Sequence, residues 1–404
     1  MEKFISLFGL FFFLGLAWTL STDRKKISWR VVAGGLFLQF TFAILTLKTA
    51  PGLAFFSAVG DFFTALLGYV NSGSAFVFGP KFADFYFAFK VLPTIIFFSA
   101  FMSVLYYLGV MQRIVDVMAR VMQVTLKTSG AESLSAASNI FLGQTEAPLV
   151  IKPYLAKMTL SEINCVMVGG FATVAGGVLA AYVGMGIDAG HLVTASVISA
   201  PAALLISKMM VPETQKPVTM GRTKIGREKN ASNLIEAAAI DTSDGLHLAL
   251  NVGAMLIAFM ALIALVDGTI GWLGHFLNQE WSLSAVLGYA FAPFAYLMGI
   301  EWPDCRNIGH LLGLKMVANE FVAYQELATW AKPESAVQIS ERSKVLVTYA
   351  LCGFANFSSI GIQIGGIGAL VPERRSDLAK LGLRAMIGGT IACQMTACIA
   401  SLLL

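Results

Sequence analysis

Charged side chains are scarce in this sequence. They make up 13% of its 404 residues, whereas about a quarter of the residues in a typical soluble domain are charged. Apolar residues make up 57% of the chain and are gathered into long runs. This balance excludes a protein whose bulk folds around one aqueous-domain core, and it indicates helices that lie in a lipid bilayer.

The residue patterns of common enzymes and ATP-driven pumps are also missing. The sequence contains no P-loop, no G-x-S-x-G elbow and no H-E-x-x-H motif. Its five cysteines are odd in number and lack metal-site spacing, and no two of its four histidines have the spacing of metal ligands. We therefore predict a chain that is not an enzyme, holds no cofactor and does not use ATP.

Eight apolar runs are long enough to cross a hydrocarbon layer about 30 Å thick. They lie near residues 4–20, 28–47, 91–110, 161–183, 190–211, 246–270, 343–367 and 377–404. The first run could be a secretory signal, but no small-x-small cleavage site follows it. Most of the nearby positive charge also comes after the run rather than before it. We therefore predict a retained first span with its N terminus outside.

The positions of the basic residues favour the same orientation. With the N terminus outside, four loops that contain several Lys and Arg residues face the cytoplasm: 21–30, 111–130, 207–231 and 372–384. The short outer loops 184–190 and 267–282 contain none. This asymmetry explains the basic clusters better than nucleic-acid binding does. It places both termini on the periplasmic side of an inner membrane, and residues 207–231 have the composition of a flexible linker.

Four further stretches do not have the composition of simple spans. Residues 52–70 and 281–300 are apolar but interrupted, and we predict interfacial helices there. Residues 131–156 and 303–332 are partly apolar and carry carboxylates in the middle. We predict two re-entrant hairpins, which are tolerated at membrane depth only when they are buried in protein or line a wet cavity.

A short internal repeat relates the two predicted hairpins. Each contains a glutamate, Glu146 or Glu320, and a later span contains a Gly-Phe-Ala-polar sequence, which we predict to be a break. These sequences are Gly170-Phe171-Ala172-Thr173 and Gly353-Phe354-Ala355-Asn356. The predicted orientation makes the hairpins enter from opposite faces. An inverted repeat with broken helices is typical of a secondary transporter with a site near the membrane midplane.

The polar residues within these segments are the candidate site. A carboxylate at membrane depth costs about 2.5–3.5 kcal/mol on insertion scales, so Glu146 and Glu320 are expected to bind a polar substrate. The alternative is a structural ion pair with Lys152 or Lys315, which we place at the hairpin mouths. Asn356, Ser358, Ser359 and the nearby Gly361, Gly365 and Gly366 predict an unwound stretch. The spacing suggests a Na⁺ site, with oxygens from Asn139 and Leu142 facing a break at Thr173 and Val174.

At these motifs the chain resembles the concentrative nucleoside transporter family, over essentially its whole length. The motifs are Gly143-Gln144-Thr145-Glu146 with Pro148, then Asn319-Glu320-Phe321-Val322-Ala323, and the specific run Gly353-Phe354-Ala355-Asn356-Phe357-Ser358-Ser359-Ile360. The resemblance implies a homotrimer of the sodium-coupled type. Each protomer would have a scaffold domain and a transport domain that moves across the membrane like an elevator.

The resemblance also implies a role for each candidate residue. Gln144, Thr145 and Glu146 would face the nucleobase, with Val178 and Phe354 packed beside it. Glu320, Asn356 and Ser359 would bind the ribose hydroxyls. The sodium site would use Asn139, Leu142, Thr173 and Val174.

We therefore predict an all-α membrane protein with eight spans, two hairpins and interfacial helices. Residues 1–110 would be scaffold, 111–211 the first transport repeat, 212–300 linker and scaffold, and 301–404 the second transport repeat. Its predicted activity is sodium-coupled uptake of pyrimidine nucleosides such as uridine, with adenosine as a further substrate. Alternatives are a proton-coupled nucleoside symporter, a membrane-embedded enzyme that uses Glu146 and Glu320 as acid and base, and a channel.

Overall fold

Helices form every regular element that the computed structural model describes, which is residues 2–85, 87–220, 231–276, 282–332 and 334–404. Eight helical segments there are long and apolar enough to cross a membrane. They are Glu2–Thr19, Trp29–Leu47, Ala50–Phe78, Phe87–Tyr107, Leu160–Gly184, Ala189–Met210, Leu234–His275 and Pro372–Leu403. Seven of them match predicted spans, so the all-α, multi-pass fold class is confirmed.

The first part of the chain contributes four long helices. They are α1 (Glu2–Thr19), α2 (Trp29–Leu47), α3 (Ala50–Phe78) and α4 (Leu92–Tyr107). The predicted interfacial stretch 52–70 is the middle of α3, which has 29 residues and continues through its glycines to Phe78. Because α3 also has the length and composition of a span, its placement at the membrane surface stays a prediction.

A fifth helix stands where we expected only a cytoplasmic loop at 111–130. Helix α5 (Val110–Leu126) buries Met111, Val115, Ala119, Met122 and Leu126. These residues recur every three or four positions, which is the spacing of one face of a helix. The loop prediction was wrong because the three basic residues of this stretch hid its apolar period.

The first predicted hairpin and broken helix are both present. Hairpin 1 consists of α6 (Gly130–Ser138), a turn, and a return arm made of α7 (Ala147–Val150) and α8 (Lys152–Leu155). The broken helix consists of α9 (Leu160–Ala172) and α10 (Gly176–Gly184), and α11 (Ala189–Met210) follows. Helices α6 and α9 each begin with a capping box, formed by Ser129 with Glu132 and by Thr159 with Glu162.

The second half repeats this order of elements. Helices α12 (Leu234–Phe276) and α13 (Leu283–Leu297) precede hairpin 2, which consists of α14 (Cys305–Val317) and α15 (Glu320–Trp330). The second broken helix consists of α16 (Glu341–Leu351) and α17 (Phe357–Leu370), and α18 (Arg375–Leu403) ends the chain. Residues 221–230 of the predicted linker lie outside the described residues, as does Trp281 at the start of the predicted interfacial stretch 281–300.

The two breaks differ in position from the sequence prediction. The first, at residues 173–175, agrees with it. The second covers 352–356, so the prediction that Ser358, Ser359 and the following glycines are unwound was wrong. The reason is that Asn356 caps α17: its Oδ1 accepts hydrogen bonds from the Ser359 amide at 2.9 Å and from the Ser358 hydroxyl at 2.7 Å. Asn and Ser therefore begin a helix here instead of interrupting one.

A buried charged cluster secures the mouth of hairpin 1. Nζ of Lys208, on α11, lies 2.6 Å from Glu132 and 3.3 Å from Glu213, and it donates to the Ser161 hydroxyl at 3.0 Å. The Ser129 hydroxyl donates to Glu162 at 2.5 Å, which joins the start of α6 to the start of α9. Three helices are thus held together at one end, while the hairpin tip lies at the other.

Candidate substrate site

The two helix breaks contact each other directly. The Phe354 amide donates to the Thr173 carbonyl at 3.3 Å. This approach requires glycine at position 353, since a Cβ there would lie 2.7 Å from the Phe171 carbonyl oxygen. The Cys393 thiol, on α18, donates to the Cys352 carbonyl at 3.3 Å and lies 3.7 Å from the Ala172 carbonyl. The non-helical residues of the two breaks therefore lie together at one place.

Glu320 lies beside this crossing at the tip of hairpin 2. It is the first residue of α15, and only 4% of it is exposed. Its Oε2 accepts a hydrogen bond from Asn356 Nδ2 at 3.0 Å, and its Oε1 accepts one from the Tyr182 hydroxyl at 2.9 Å. The structure thus brings together two predicted site residues, Glu320 and Asn356, and adds Tyr182. Sequence reasoning missed Tyr182, although it follows Val178 by four residues and shares its helix face.

An ion pair with lysine does not account for either glutamate. Among the described residues, neither Lys315 nor Lys152 has a carboxylate oxygen within 4.0 Å. Our placement of Lys315 at a hairpin mouth was wrong. It is buried in the last turn of α14, near the hairpin tip, and its Nζ donates to the Ala350 carbonyl at 2.9 Å. Because α16 ends at Leu351, that carbonyl has no partner within its own helix, and the lysine satisfies it.

The tip of hairpin 1 meets the second broken helix through Gln144. Its Nε2 donates to the Ser359 hydroxyl at 3.1 Å, and its Oε1 accepts from Gln363 Nε2 at 3.0 Å. Gln363 is fully buried, and its Nε2 also donates to the Met167 carbonyl at 3.1 Å. Sequence reasoning missed Gln363. The available signal was its position four residues after Ser359 on one apolar helix.

The other residues that the resemblance assigns to the nucleobase lie on hairpin 1, on α10 and in the second break. Thr145 packs on Gly366, where a Cβ would lie 2.5 Å from the threonine Cγ2. Val178 is buried on α10, and Phe354 is partly buried in the second break. The Glu146 side chain is exposed, and its Oε2 accepts the Gly143 amide at 2.9 Å. Its carboxylate therefore closes the turn of its own hairpin and is not bonded to Gln144 or Ser359.

The predicted cation residues lie where hairpin 1 meets the first break. The Asn139 side chain is buried, and neither its Oδ1 nor its Nδ2 has a hydrogen-bond partner. A Cβ on Gly169 would lie 2.9 Å from Asn139 Nδ2, so this amide rests on the last turn of α9. The Thr173 hydroxyl donates to the Gly169 carbonyl at 2.9 Å. Leu142, in the hairpin turn, and Val174, in the break, have only main-chain oxygens to offer.

The polar atoms near Asn139 suit a hard cation. The hydroxyls of Ser135 and Ser138, on the same helix α6, are also buried without a hydrogen-bond partner. Unpaired buried polar groups of this kind are rare in native structures and call for an explanation. No group of three or more His, Cys, Asp or Glu residues in the described part of the chain could hold a metal ion. An ion bound here would therefore be one that accepts neutral oxygen ligands, as Na⁺ does.

Three family models together match most of the chain. The Na⁺ dependent nucleoside transporter N-terminus matches residues 8–81, Nucleoside recognition matches 88–189, and the Na⁺ dependent nucleoside transporter C-terminus matches 191–401.

Similar proteins occur in animals and bacteria. Solute carrier family 28 member 3 of Eptatretus stoutii is 47% identical over 414 residues, which cover 100% of this chain and 61% of that protein. Sodium/nucleoside cotransporter 1 of Rattus norvegicus is 45% identical and is covered to 64%. The chain thus spans less than two thirds of these animal relatives. An uncharacterized transporter of Haemophilus influenzae (strain ATCC 51907 / DSM 11121 / KW20 / Rd) is 46% identical, and the match covers 100% of this chain and 98% of that protein.

Solved structures of a similar protein, CNTnw, have the same fold. In an inward-facing substrate-bound state it is 43% identical with a TM-score of 0.94, and the match covers 100% of this chain and 98% of that one. A CNTnw variant in an outward-facing state is 41% identical, also with a TM-score of 0.94 and the same coverage.

Proposed function

Because the chain belongs to the family of Na⁺-dependent nucleoside transporters, we propose that it carries nucleosides into the cell together with Na⁺. The proposed substrates are uridine and other pyrimidine nucleosides, with adenosine as a further candidate. The observation that carries the proposal is the buried Glu320 carboxylate, which accepts hydrogen bonds from Tyr182 and Asn356 beside the crossing of the two breaks.

Glu320 has the spare capacity to bind a ribose diol. An ionised carboxylate accepts about four hydrogen bonds, and Tyr182 and Asn356 use two of these positions. Its remaining acceptor capacity can serve the O–H groups of the 2′,3′-diol. Ser359 lies in the first turn of α17 and would complete the ribose side. This spare capacity favours a substrate that carries hydroxyl groups, as a ribose does.

The nucleobase would enter between hairpin 1 and α17. Gln144 and Ser359 are bonded to each other, so their polar groups satisfy one another. A base would replace this bond with bonds to Gln144 and Thr145, and Glu146 would face it from the same hairpin. Val178 and Phe354 would supply apolar contacts to the ring.

Sodium is a co-transported substrate in this proposal. Bound near Asn139 and Thr173, with carbonyls from Leu142 and Val174, it would join the end of α6 to the first break. Hairpin 1 carries Gln144, so an ion that holds the hairpin against the break also orders the base side of the substrate site. Such differential binding is required, because an ion with equal affinity for both states could not drive uptake.

The wider arrangement follows the family resemblance. We propose a homotrimer in the inner membrane, with both termini on the periplasmic side. Residues 1–110 and much of 212–300 would form the scaffold, and the repeats 111–211 and 301–404 would form the transport domain. The hydrogen bonds from Gln144 to Ser359 and from Asn356 to Glu320 link both hairpin tips to α17. This linkage supports movement of the two hairpins as one body, as an elevator mechanism requires.

Uptake of labelled uridine into proteoliposomes tests the proposed function. We expect accumulation against the uridine gradient when an inward Na⁺ gradient is imposed, and little uptake without it. Accumulation in sodium-free buffer at low external pH would instead identify a proton-coupled symporter. Recovery of chemically altered uridine would identify an enzyme, and equilibration without accumulation would identify a channel.

Asn139→Ala should weaken the apparent affinity of the transporter for Na⁺. Loss of the buried side-chain oxygen removes one ligand from the proposed ion site, and we expect the Na⁺ concentration for half-maximal uptake to rise at least about tenfold, as for one lost ion contact of about 1.4 kcal/mol. High sodium should restore most of the uptake. Asn251→Ala, at an exposed position on α12, is the control and should leave the sodium dependence unchanged. An unaltered sodium curve for Asn139→Ala would contradict the assignment.

A further inference from the structure

Gln363 stands outside the predicted site but bonds directly to it. It lies on α17, one turn after Ser359, and its side chain is fully buried. Its Nε2 donates to the Met167 carbonyl at 3.1 Å and to Gln144 Oε1 at 3.0 Å. The residue therefore connects the main chain of the first broken helix to the tip of hairpin 1.

These partners determine the orientation of both amides. A main-chain carbonyl can only accept, so the Gln363 atom beside Met167 must be the nitrogen. That NH₂ group has a second N–H, and the Gln144 atom beside it must then be the oxygen. The nitrogen of Gln144 is left facing Ser359, to which it donates at 3.1 Å. Flipping Gln144 would bring two donors together, and flipping Gln363 would bring its oxygen against the two acceptor oxygens of Met167 and Gln144.

The two glutamine side chains also pack closely over Gly170. A Cβ on Gly170 would lie 2.8 Å from Gln144 Cβ and 2.9 Å from Gln363 Nε2, so both side chains pass over a glycine. The Oε1 of Gln363 is buried without a partner. An apolar side chain of similar size would avoid the cost of leaving a buried hydrogen bond unmade. The amide is therefore explained by its two N–H groups and not by packing.

We propose that Gln363 is a positioning residue that determines which end of the Gln144 amide meets the nucleobase. This inference rests on the proposed function. With its oxygen turned toward Gln363, Gln144 presents its NH₂ group to the base. The site therefore favours an oxo group over an amino group at the edge of the base that Gln144 faces. Uridine differs from cytidine in this way at position 4, and inosine differs from adenosine in this way at position 6.

Gln363→Met tests the proposal, because it removes both N–H groups at nearly constant volume. The measurement is kcat/KM for uridine and cytidine, and for inosine and adenosine, in proteoliposomes with a fixed Na⁺ gradient. We expect the uridine-to-cytidine ratio to fall about three- to tenfold relative to the wild type, as for one hydrogen bond, and the inosine-to-adenosine ratio to fall likewise. Gln39→Met is the matched control, since Gln39 is a fully buried glutamine on α2, and it should leave both ratios unchanged.

A double-variant cycle separates positioning from general structure. If Gln363 acts through Gln144, adding Gln363→Met to Gln144→Ala should change neither ratio further. Gln144→Glu, which leaves Gln363 in place but removes the donor, should lower both ratios even if Gln363→Met fails to fold.

Unchanged ratios in Gln144→Glu, or in a Gln363→Met variant that still transports, would overturn the inference. An equal effect of Gln363→Met on the ratios in the wild-type and the Gln144→Ala backgrounds would also overturn the inference. A wild-type protein that takes up no nucleoside would instead overturn the proposed function, and this inference with it.

Discussion

Glu320→Gln should lower kcat/KM for uridine uptake at least about a hundredfold. The substitution keeps the size of the side chain but replaces one acceptor oxygen with an NH₂ donor. Tyr182 and Asn356 both donate to the carboxylate, so one of them would face a donor in the variant. The two ribose hydroxyls would also lose a charged acceptor, and hydrogen bonds to charged groups contribute about 1.5–3 kcal/mol each. The measurement is initial-rate uptake of labelled uridine in proteoliposomes.

The same substitution at a neighbouring position provides the control. Glu326 lies on the same helix, α15, and its carboxylate oxygens are 3.1 Å from His310 Nε2, away from the crossing of the breaks. Glu326→Gln should transport nearly as well as the wild type. Deoxy substrates test the ribose role further, since the preference for uridine over 2′- and 3′-deoxyuridine should shrink in Glu320→Gln. Uptake by Glu320→Gln at the wild-type rate would refute the role of Glu320.

Lys208→Met should destabilise the protein by about 3–5 kcal/mol, the usual cost of breaking a buried ion pair from one side. Lys208 and Glu132 are almost completely buried, with side-chain exposures of 6% and 2%, and their charged atoms are 2.6 Å apart. Removing the ammonium leaves the carboxylates of Glu132 and Glu213 without their cation at the mouth of hairpin 1. In detergent solution we expect the apparent Tm to fall by about 5–15 °C.

Two further variants decide whether the lost ion pair is the cause. Lys344→Met removes the cation of the Lys344–Glu341 pair, in which Glu341 is 86% exposed. Such surface pairs contribute about 0–1 kcal/mol, so its Tm should hardly change. Adding Glu132→Gln to Lys208→Met should recover part of the loss, because it removes a buried charge that has no partner. A Tm for Lys208→Met equal to that of Lys344→Met would contradict the assigned role of the cluster.

Features that depend on contiguous residues were accessible from the sequence. The apolar runs gave seven of the eight candidate spans, and the mixed composition of 131–156 and 303–332 gave both hairpins. The break at Thr173 and the approximate position of the break before Asn356 followed from local residue types. A helix or a break is decided mostly by the residues within it, so short windows of sequence carry that information.

Details at the ends of the elements were harder to predict. Asn356 and Ser359 have side chains that can either interrupt a helix or cap one. Asn356 acts as a helix cap because it directly precedes α17 and its Oδ1 accepts a hydrogen bond from the Ser359 amide. Lys315 could not be placed for a similar reason, since its partner is the Ala350 carbonyl on another helix. Both outcomes depend on where a neighbouring segment ends in space.

The sequence by itself determined that this is a helical membrane protein with two hairpins, two broken helices and two glutamates held within them. Only the tertiary structure decided which side chains these groups meet. Tyr182 donates to Glu320 across 138 residues, and Gln363 donates to Gln144 across 219. Hydropathy is a local property of the chain, whereas a hydrogen bond between distant residues exists only after the helices have packed.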